Sequence, residues 1–524
     1  MSGNEKRACF NLVIGLAGPY GSGCSSFADE IIKIGNDWPG CRVEKVHVSD
    51  IIQSYYEIIT KKHLELVDTN NQKRRKILQS AGTEIRKIDG ELVGKLIVMA
   101  IHENGKRVAE DGGLDNVETL IYVIDSLKNN GDLFLLRKIF RDEFYFCFIH
   151  SDKESRWRRM IDYKSWKEED EKEFHDRDEI DNDEKKMYPA VLNAGQQVGK
   201  LAAYADYYVV NNSNREELGQ ESNRFLSLLL GEDISQPTYD ERCMHLAFSS
   251  ANSSGCLSRQ VGAAIFTPHG NVLAVGHNDV PKFGGGVYFP ESANDRRCYK
   301  VGDRRCTNDT NKDERFKRLS EQICTDVLID SDDGKGKVLE AIRNSEFKEA
   351  TEYCRAVHAE MAAILSVSRN LSGTTVGATM YVTTQPCHNC TKHIICAGIN
   401  KVVYVEPYPK SLGKEFHSDA IVLDPQNESC AKQKVLFIPY QGVAPIRFHD
   451  FFKMIEERKD ASGIMRQIPK SSWASSPRYA KKLSRRSRHK ESKDNITFAE
   501  YLILNGLKEF FTSREGEGDD QSVD

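Results

Sequence analysis

The chain has 524 residues, of which 39% are hydrophobic and 29% are charged, and its formal net charge is −5. This length exceeds what one hydrophobic core supports, so we expect two or more domains. The composition is ordinary for a water-soluble protein, and no apolar run reaches the roughly 18–20 residues that span a bilayer, which excludes a membrane protein. The negative charge argues against a surface that follows phosphate backbones throughout and favours small-molecule ligands.

The first apolar stretch, Phe10–Ala17, runs straight into a glycine-rich turn. It predicts a buried strand rather than a signal peptide, so we expect a cytoplasmic protein. The 14 cysteines of the chain are then expected to be free thiols or metal ligands, because a reducing compartment does not favour a disulfide framework.

Residues 1–232 predict one α/β domain with a parallel sheet, because apolar strand patterns alternate with helical patterns. The first helix is indicated by the apolar spacing of Phe27, Ile31 and Ile34. The predicted strands of this domain are Phe10–Ala17, Val43–Val48, Thr119–Ile124, Phe144–Ile149 and Tyr207–Val210.

A glycine-rich segment lies between the first predicted strand and the first predicted helix, where a G-x-x-x-x-G-K-[ST] loop cradles phosphates with backbone N–H groups. Cys24 stands where that pattern has lysine, so we expect nucleotide to dock on the loop while phosphoryl transfer is impaired. Asp125 ends a strand, where it would either hold Mg²⁺ with the nucleotide or cap a helix. The candidate nucleotide-binding residues are Gly18, Gly21, Ser22, Gly23, Cys24, Ser25 and Asp125.

Three further segments are similar to nucleoside-monophosphate kinases, and with the loop they cover about residues 10–230. They are Ile124–Arg137, the cluster Arg156–Arg159 at the lid position, and Ala205–Asn211 near the last strand. The resemblance implies a degenerate P-loop nucleotide-kinase-like domain. Such a domain would bind nucleotide and regulate the rest of the chain rather than transfer a phosphoryl group. The arginine cluster would either bind phosphate or form a solvated helix face.

Residues 233–458 predict a second α/β domain, which follows a linker at Gly231–Thr238. A long polar insertion, Lys282–Asp333, predicts a functional or regulatory loop region rather than core. Its cysteines Cys298 and Cys306 would either hold a zinc ion of their own or remain free thiols. The predicted strands of this domain are Gly262–Phe266, Met380–Thr384 and Lys401–Val405.

The most informative residues of the second domain are His358 and Glu360, followed by Cys387 and Cys390 after a proline. An imidazole and two thiolates suit zinc, and a helix N-terminus favours thiolates. A lone Cys-x-x-Cys would equally indicate a structural zinc knuckle or two core thiols, but the upstream His-x-Glu favours a catalytic site. We predict Zn²⁺ held by these three ligands, with Glu360 moving protons, in the H-x-E…P-C-x-x-C pattern of nucleobase deaminases.

With these motifs, the sequence resembles the deoxycytidylate deaminase family over roughly Tyr239–Phe452. Cys256–Gly262 is similar to the start of that family's first core strand, and Gly276–Pro281 is similar to its G-x-N-x-x-P loop. The resemblance implies a cytidine-deaminase-like α/β/α sandwich. By itself, Asn278 would be an ordinary turn residue. The resemblance implies that it bonds the substrate sugar, with nucleotide phosphate near Arg259 or near the segment that starts at Tyr404.

A degenerate kinase-like domain joined to such a deaminase is similar to the bacterial anti-phage deoxycytidine nucleotide deaminases. The resemblance implies conversion of dCTP and dCMP to dUTP and dUMP, which would deplete both pools during infection. It also implies a homo-oligomer, and a nucleotide effector such as dTTP at the phosphate loop or at a regulatory site of the deaminase. An inhibitory RNA or protein would hold the activity off in uninfected cells.

Residues 459–524 predict a C-terminal tail with a basic run at Lys481–Lys493, a short helix over Ile496–Phe511 and an acidic end. The basic run predicts a solvated segment or, alternatively, a nucleic-acid contact. Three other functions stay open. They are deamination of a base within a nucleic-acid strand, a regulatory nucleotide-binding module without deaminase activity, and a kinase that works without the usual lysine.

Overall fold

The structure is a computed structural model that describes residues 10–66, 71–110, 116–164, 166–187, 193–212, 214–231, 234–345, 347, 353–371, 373–408, 411–423, 433–454, 457–466 and 498–516. The chain divides into two compact units. The first unit comprises Met1–Pro237 and Gln441–Asp524, and the second comprises Thr238–Tyr440. Within the described ranges, no helix combines the length and apolar character needed to cross a membrane.

Both units have the α/β class that the sequence predicts, and this prediction is confirmed. The strands are β1 (Phe10–Ala17), β2 (Cys41–His47), β3 (Thr119–Asp125), β4 (Phe144–His150), β5 (Tyr207–Val210), β6 (Gly262–Phe266), β7 (Val272–His277), β8 (Thr379–Thr384), β9 (Lys401–Glu406), β10 (Ile421–Leu423), β11 (Val435–Pro439) and β12 (Gly442–Val443). The helices are α1 (Cys24–Asn36), α2 (Val48–Thr60), α3 (Asn71–Ile88), α4 (Leu92–Glu110), α5 (Asn130–Phe140), α6 (Lys153–Lys164), α7 (Glu171–Met187), α8 (Val198–Leu201), α9 (Arg215–Leu230), α10 (Tyr239–Ala251), α11 (Thr307–Asp326), α12 (Asp332–Asn344), α13 (Ala359–Asn370), α14 (His388–Cys396), α15 (Gly413–Phe416), α16 (Phe448–Phe452) and α17 (Phe498–Gly516).

The first unit is built on a sheet with the order β12-β5-β4-β1-β3-β2. Strands β1 to β5 pair in parallel, and all of β3 is buried. Helices cover both faces of a parallel sheet, so its strands read as continuous apolar runs. This is why β1, β3, β4 and β5 are recognisable as apolar runs, whereas the edge strand β2 is only partly buried. Leu16 of β1 lies opposite Asp125 of β3, which brings the segments after both strands to one edge of the sheet.

The last strand of this sheet, β12, follows the second unit in the sequence. Val443 pairs antiparallel with Tyr207 of β5, and the Arg447 guanidinium lies 3.2 Å from the carboxylate of the buried Asp206. The sequence assigned residues 441–458 to the second domain, whereas the structure packs residues 441–452 with the first unit. A strand of 2 residues is too short to show a periodicity. No sequence pattern therefore indicates that the chain rejoins the first unit at β12.

The C-terminal helix α17 also belongs to the first unit. Leu507 is buried, and the rings of Tyr55 and Phe511 stack with centroids 5.5 Å apart. The short helix predicted over Ile496–Phe511 is therefore present. The predicted basic run and most of the acidic end lie outside the described residues.

The second unit has a sheet with the order β10-β11-β9-β8-β6-β7, in which β6 pairs antiparallel with both of its neighbours. A Cβ on Gly262 would lie 1.9 Å from the Ala247 carbonyl of α10, and a Cβ on Gly276 would lie 2.6 Å from the Ala359 carbonyl of α13. Gly276 pairs with Ala263, the residue after Gly262. Successive residues of a strand point to opposite faces, so α10 and α13 cover opposite faces of one sheet. The result is an α/β/α sandwich.

The polar insertion differs from its prediction as a loop region, because α11 and the start of α12 lie within it. In α11 only Ser320 and Cys324 are buried. A helix with so few buried positions lacks the apolar stripe from which helices are recognised. The prediction that the insertion lies outside the core agrees with this exposure.

A buried ion pair is expected to contribute strongly to the stability of the first unit. Arg86 donates to the Asp132 carboxylate over 2.6 and 3.0 Å, and the Gly94 N–H donates to its other oxygen over 3.0 Å. Replacing Asp132 with alanine leaves a buried guanidinium without its partner, so we expect a loss of about 3–5 kcal/mol in the free energy of unfolding.

Urea unfolding followed by tryptophan fluorescence measures this loss, because Trp38, Trp157 and Trp166 belong to the first unit. The matched control is Glu154→Ala, which breaks the exposed pair with Arg158 and should cost less than about 1 kcal/mol. Equal losses in the two variants would contradict the prediction.

Candidate active site

His358 and Glu360 lie at the start of α13. His358 is the residue just before the helix and has an extended backbone, with φ −72° and ψ 155°. Its carbonyl accepts the helical hydrogen bond from Ala362 over 2.9 Å. Glu360 follows in the first turn. The helix start therefore fixes the imidazole and the carboxyl group next to each other.

Cys387 and Cys390 occupy the corresponding positions of α14. Cys387 immediately precedes the helix, and its carbonyl accepts the helical hydrogen bond from Thr391 over 2.9 Å. Both cysteine residues are buried, with 6% and 2% of their surface exposed. Because the N-terminus of a helix is electropositive, this position favours the thiolate forms that bind metals.

The three side chains converge on one point. His358 Nδ1 lies 3.5 Å from Cys387 Sγ and 3.3 Å from Cys390 Sγ. Throughout the described ranges, this is the only group of three or more His, Cys, Asp or Glu ligands whose donor atoms all lie within 4.8 Å of one another. One imidazole nitrogen and two sulfurs fit zinc and leave a tetrahedral position open.

Hydrogen bonds inside this group distribute its protons unevenly. The hydrogen bond from Cys390 lowers the pKa of Cys387 to about 4, whereas the same bond and burial raise the pKa of Cys390 well above its usual value. Hydrogen bonds to Cys354 and Cys387 raise the pKa of His358 to about 11. Metal binding at this group must therefore displace protons from Cys390 and His358.

Glu360 is buried beside the ligand group. Its residue surface is 4% exposed, and burial raises its pKa above the usual value of a glutamate. Its carboxyl group hydrogen-bonds Cys390, so it lies directly against the ligand group. A carboxyl group with a raised pKa can both hold and release a proton near neutral pH, as a proton shuttle must.

Comparison with known proteins agrees with this site. The family model for the cytidine and deoxycytidylate deaminase zinc-binding region matches residues 237–406. The deoxycytidylate deaminase of Enterobacteria phage T4 is 32% identical over 168 residues, which cover 32% of this chain and 78% of the relative. The chain belongs to the cytidine and deoxycytidylate deaminase family.

Two further similarities each cover about two fifths of the deaminase chain. A UPF0200 protein of Saccharolobus islandicus is 25% identical over 206 residues, covering 39% of this chain and 87% of the relative. The crystal structure of dCMP deaminase from the cyanophage S-TIM5, in complex with dCMP and dUMP, is 19% identical. It covers 39% of this chain and 99% of that chain with a TM-score of 0.22.

The three substrate-binding candidates of the deaminase unit occupy different surroundings. The Asn278 amide accepts a hydrogen bond from the Val261 N–H and donates one to the Arg259 carbonyl, each over 2.8 Å, as a turn residue would. The exposed Arg259 side chain forms an ion pair with Glu406. Tyr404 is 3% exposed, and its ring is part of the hydrophobic core. The structure therefore does not bring these three side chains into one binding surface.

The two cysteines of the insertion each contact a hydroxyl group. Cys298 Sγ lies 3.0 Å from the Thr307 hydroxyl, and Cys306 Sγ lies 3.3 Å from the Ser258 hydroxyl. Both line one cavity, together with Cys256 and Cys354. Their sulfurs do not belong to a compact ligand group among the described residues.

The phosphate-loop candidates of the deaminase chain lie between β1 and α1. Gly21 and Gly23 have left-handed backbones, with φ 80° and 96°, and Gly23 immediately precedes the helix. The Ser22 hydroxyl lies 3.5 Å from Cys24 Sγ, and burial raises the pKa of Cys24 to about 12. Ser25 is exposed in the first turn of α1. The loop thus combines the left-handed turns of a phosphate-binding loop with a neutral thiol at the lysine position.

Gly18 and Asp125 complete this set. A Cβ on Gly18 would lie 2.3 Å from the carbonyl oxygen of Ile149, so only glycine fits there. Asp125 ends β3 on the neighbouring strand, and its carboxylate lies 3.4 Å from the Lys45 ammonium. The carboxylate accordingly faces a cation from β2.

In the arginine cluster, Arg156 and Arg159 bind the phosphate loop, whereas Arg158 is exposed and pairs with Glu154. Arg156 donates to the Tyr20 carbonyl over 2.8 Å, and Arg159 donates to the Gly21 carbonyl over 2.7 Å. Asn211, whose role the sequence did not reveal, donates to the Ser22 carbonyl over 2.8 Å. The side chains of Arg156, Arg159 and Asn211 thus hydrogen-bond successive backbone carbonyls of the phosphate loop. No local pattern predicts this, because the partners are backbone atoms more than a hundred residues away.

Proposed function

We propose that the chain is a zinc-dependent hydrolytic deaminase that converts dCMP, dCTP or both to the corresponding deoxyuridine nucleotide with release of ammonia. The observation that carries the proposal is the convergence of His358, Cys387 and Cys390 against the buried Glu360. The identity to the phage T4 deoxycytidylate deaminase supports cytosine deoxynucleotides as the substrate class.

In this mechanism, His358, Cys387 and Cys390 would hold the zinc ion. Bound zinc supplies the Lewis acidity that makes a water molecule nucleophilic near neutral pH. Glu360 would take a proton from the attacking water and pass it to N3 of the cytosine ring as C4 is attacked. It would then take the remaining proton from the hydroxyl on C4 and deliver it to the amino group, so that the C4 carbonyl forms and the C4–N bond breaks to release ammonia. The raised pKa of Glu360 suits both transfers.

We expect the purified full-length protein to form uracil product from dCMP, dCTP or both. The measurement is a chromatographic assay of CMP, CTP, dCMP and dCTP, each with and without dTTP as an effector. Single-stranded DNA and RNA form a separate arm that tests base deamination within a strand. Product from neither deoxynucleotide would contradict the proposal, and conversion confined to a strand would favour the nucleic-acid alternative.

We further propose that this activity depletes the dCTP and dCMP pools of phage-infected bacteria, with the protein acting as a cytoplasmic homo-oligomer. The resemblance of the two-domain sequence to anti-phage deaminases supports this role. An inhibitory RNA or protein would restrain the enzyme before infection.

For the first unit we propose a regulatory nucleotide site at Gly18–Ser25, with Mg²⁺ accompanying the nucleotide at Asp125. The left-handed glycines Gly21 and Gly23, the second of which caps α1, support nucleotide binding. The neutral Cys24 thiol favours regulation over phosphoryl transfer. A labelled-ATP assay for phosphate transfer tests the kinase alternative.

A further inference from the structure

The phosphate loop lacks its lysine, yet another lysine lies against it. Lys128 is in the segment that follows β3. Its Nζ lies 3.5 Å from the Gly18 carbonyl oxygen and 2.6 Å from Asp181 Oδ2 of α7. The ammonium also interacts electrostatically with Cys24 and Asp125. A positive charge is therefore present where the loop sequence has none.

The backbone around Lys128 is fixed on both sides. The preceding Leu127 N–H donates to the Leu16 carbonyl of β1 over 2.7 Å, and the Lys128 carbonyl accepts from the Gln197 N–H over 2.9 Å. The following Asn129 caps α5 by accepting from the Gly131 N–H over 2.7 Å. Because these bonds tie Lys128 to the end of β1, its distance from the loop does not depend on side-chain packing alone.

The other cations near the loop are already engaged with protein groups. Arg156 binds the Tyr20 carbonyl and the Asp178 carboxylate. Arg159 binds the Gly21 carbonyl and the Ser151 hydroxyl. Both arginines hold loop carbonyls, and moving them toward a phosphate would break those bonds. Lys128 differs from these arginines. Its contact with the loop carbonyl is long, at 3.5 Å, and among the described residues its ion pair is with Asp181.

We propose that Lys128 supplies the cation for the β- and γ-phosphates of a nucleoside triphosphate bound at Gly18–Ser25, in place of the lysine missing at Cys24. The inference rests on the proposed nucleotide site of the first unit. Asp181 neutralises the ammonium while no phosphate is present, and an incoming phosphate takes over that role. A cation supplied from the segment after β3 can attract phosphate as one from the loop does, because Coulomb attraction depends on distance and not on chain position.

The test is calorimetric titration of the full-length protein with ATP and, separately, with inorganic tripolyphosphate. Lys128→Met should weaken binding of both by about tenfold or more, and Lys128→Arg should stay within a few-fold of wild type. The matched control is Lys95→Met. It removes a lysine of α4 that pairs with Asp89, and it should leave binding unchanged.

A second comparison separates phosphate binding from a merely structural pair. If Lys128 and Asp181 only stabilise the fold, then Asp181→Asn should weaken binding as Lys128→Met does. The proposal requires that the two variants do not lose affinity together, because Asp181 competes with phosphate for the Lys128 ammonium. Asp181→Asn should therefore bind ATP and tripolyphosphate at least as tightly as wild type. The double variant Lys128→Met/Asp181→Asn leaves no buried charge unpaired and should still bind weakly. Moving the lysine back, in Cys24→Lys/Lys128→Met, should restore binding.

The outcomes separate the two proposals. If wild-type protein binds neither ATP nor tripolyphosphate, the nucleotide site of the first unit is wrong, and this inference is wrong with it. If wild type binds and Lys128→Met binds equally well, or if Asp181→Asn weakens binding alongside it, only the role of Lys128 is overturned. Deamination of dCMP is measured independently and decides neither outcome.

Discussion

Replacing Glu360 with glutamine is expected to lower the rate of dCMP deamination by roughly 10²–10⁴-fold while zinc stays bound. The amide keeps the shape of the side chain but cannot pass a proton to N3 or to the departing amine. His358, Cys387 and Cys390 are untouched by the change. Uracil product is measured by chromatography and zinc content by mass spectrometry on the same preparation.

The matched control for this variant is Glu340→Gln, on an exposed turn of α12, which should retain full activity. In phage-infected cells, the Glu360 variant should leave the dCTP and dCMP pools undepleted, whereas wild type should drain them. Turnover at the wild-type rate would remove Glu360 from the mechanism.

Replacing Cys387 with alanine should abolish both zinc binding and activity. The change leaves one nitrogen and one sulfur to hold the ion, and it removes the thiolate with the lowered pKa, which is already ionised at neutral pH. The matched control is Cys396→Ala, because Cys396 is an exposed cysteine at the end of the same helix. That variant should keep its zinc and its turnover.

The two variants distinguish ligand from acid–base group. Loss of activity with normal zinc is expected only for Glu360, and loss of both only for Cys387. Normal zinc content in Cys387→Ala would show that the metal, if present, is held elsewhere.

The convergence of His358, Cys387 and Cys390 was predictable because the sequence signal at each position is local. His358 and Cys387 each stand directly before a helix, so the fold at each ligand is specified within a few residues. The buried parallel strands were predictable for the same reason, since β3 and β4 are continuous apolar runs. A feature that is specified within one segment can be predicted from the sequence without knowledge of the contacts that the segment makes.

The surroundings of the phosphate loop were not predictable in this way. Lys128 lies 110 positions from Gly18 in the chain, and only the neighbouring positions of β1 and β3 in the sheet bring the two together. The arginine cluster was recognised, but its partners are carbonyl oxygens, which no residue type reveals. Asn278 illustrates a related limit, because its amide bonds backbone groups on both sides and so has a structural role that the motif does not indicate.

The route of the chain, which leaves the first unit at Pro237 and re-enters it at Gln441, makes the deaminase unit a domain insertion with two covalent tethers. A truncation after Tyr440 would strip an edge strand and the C-terminal helix from the first unit, while the second unit would keep all of its residues. Limited proteolysis would need two cuts to free the deaminase unit. Engineering that isolates the first unit must instead join residue 237 to residue 441 with a linker.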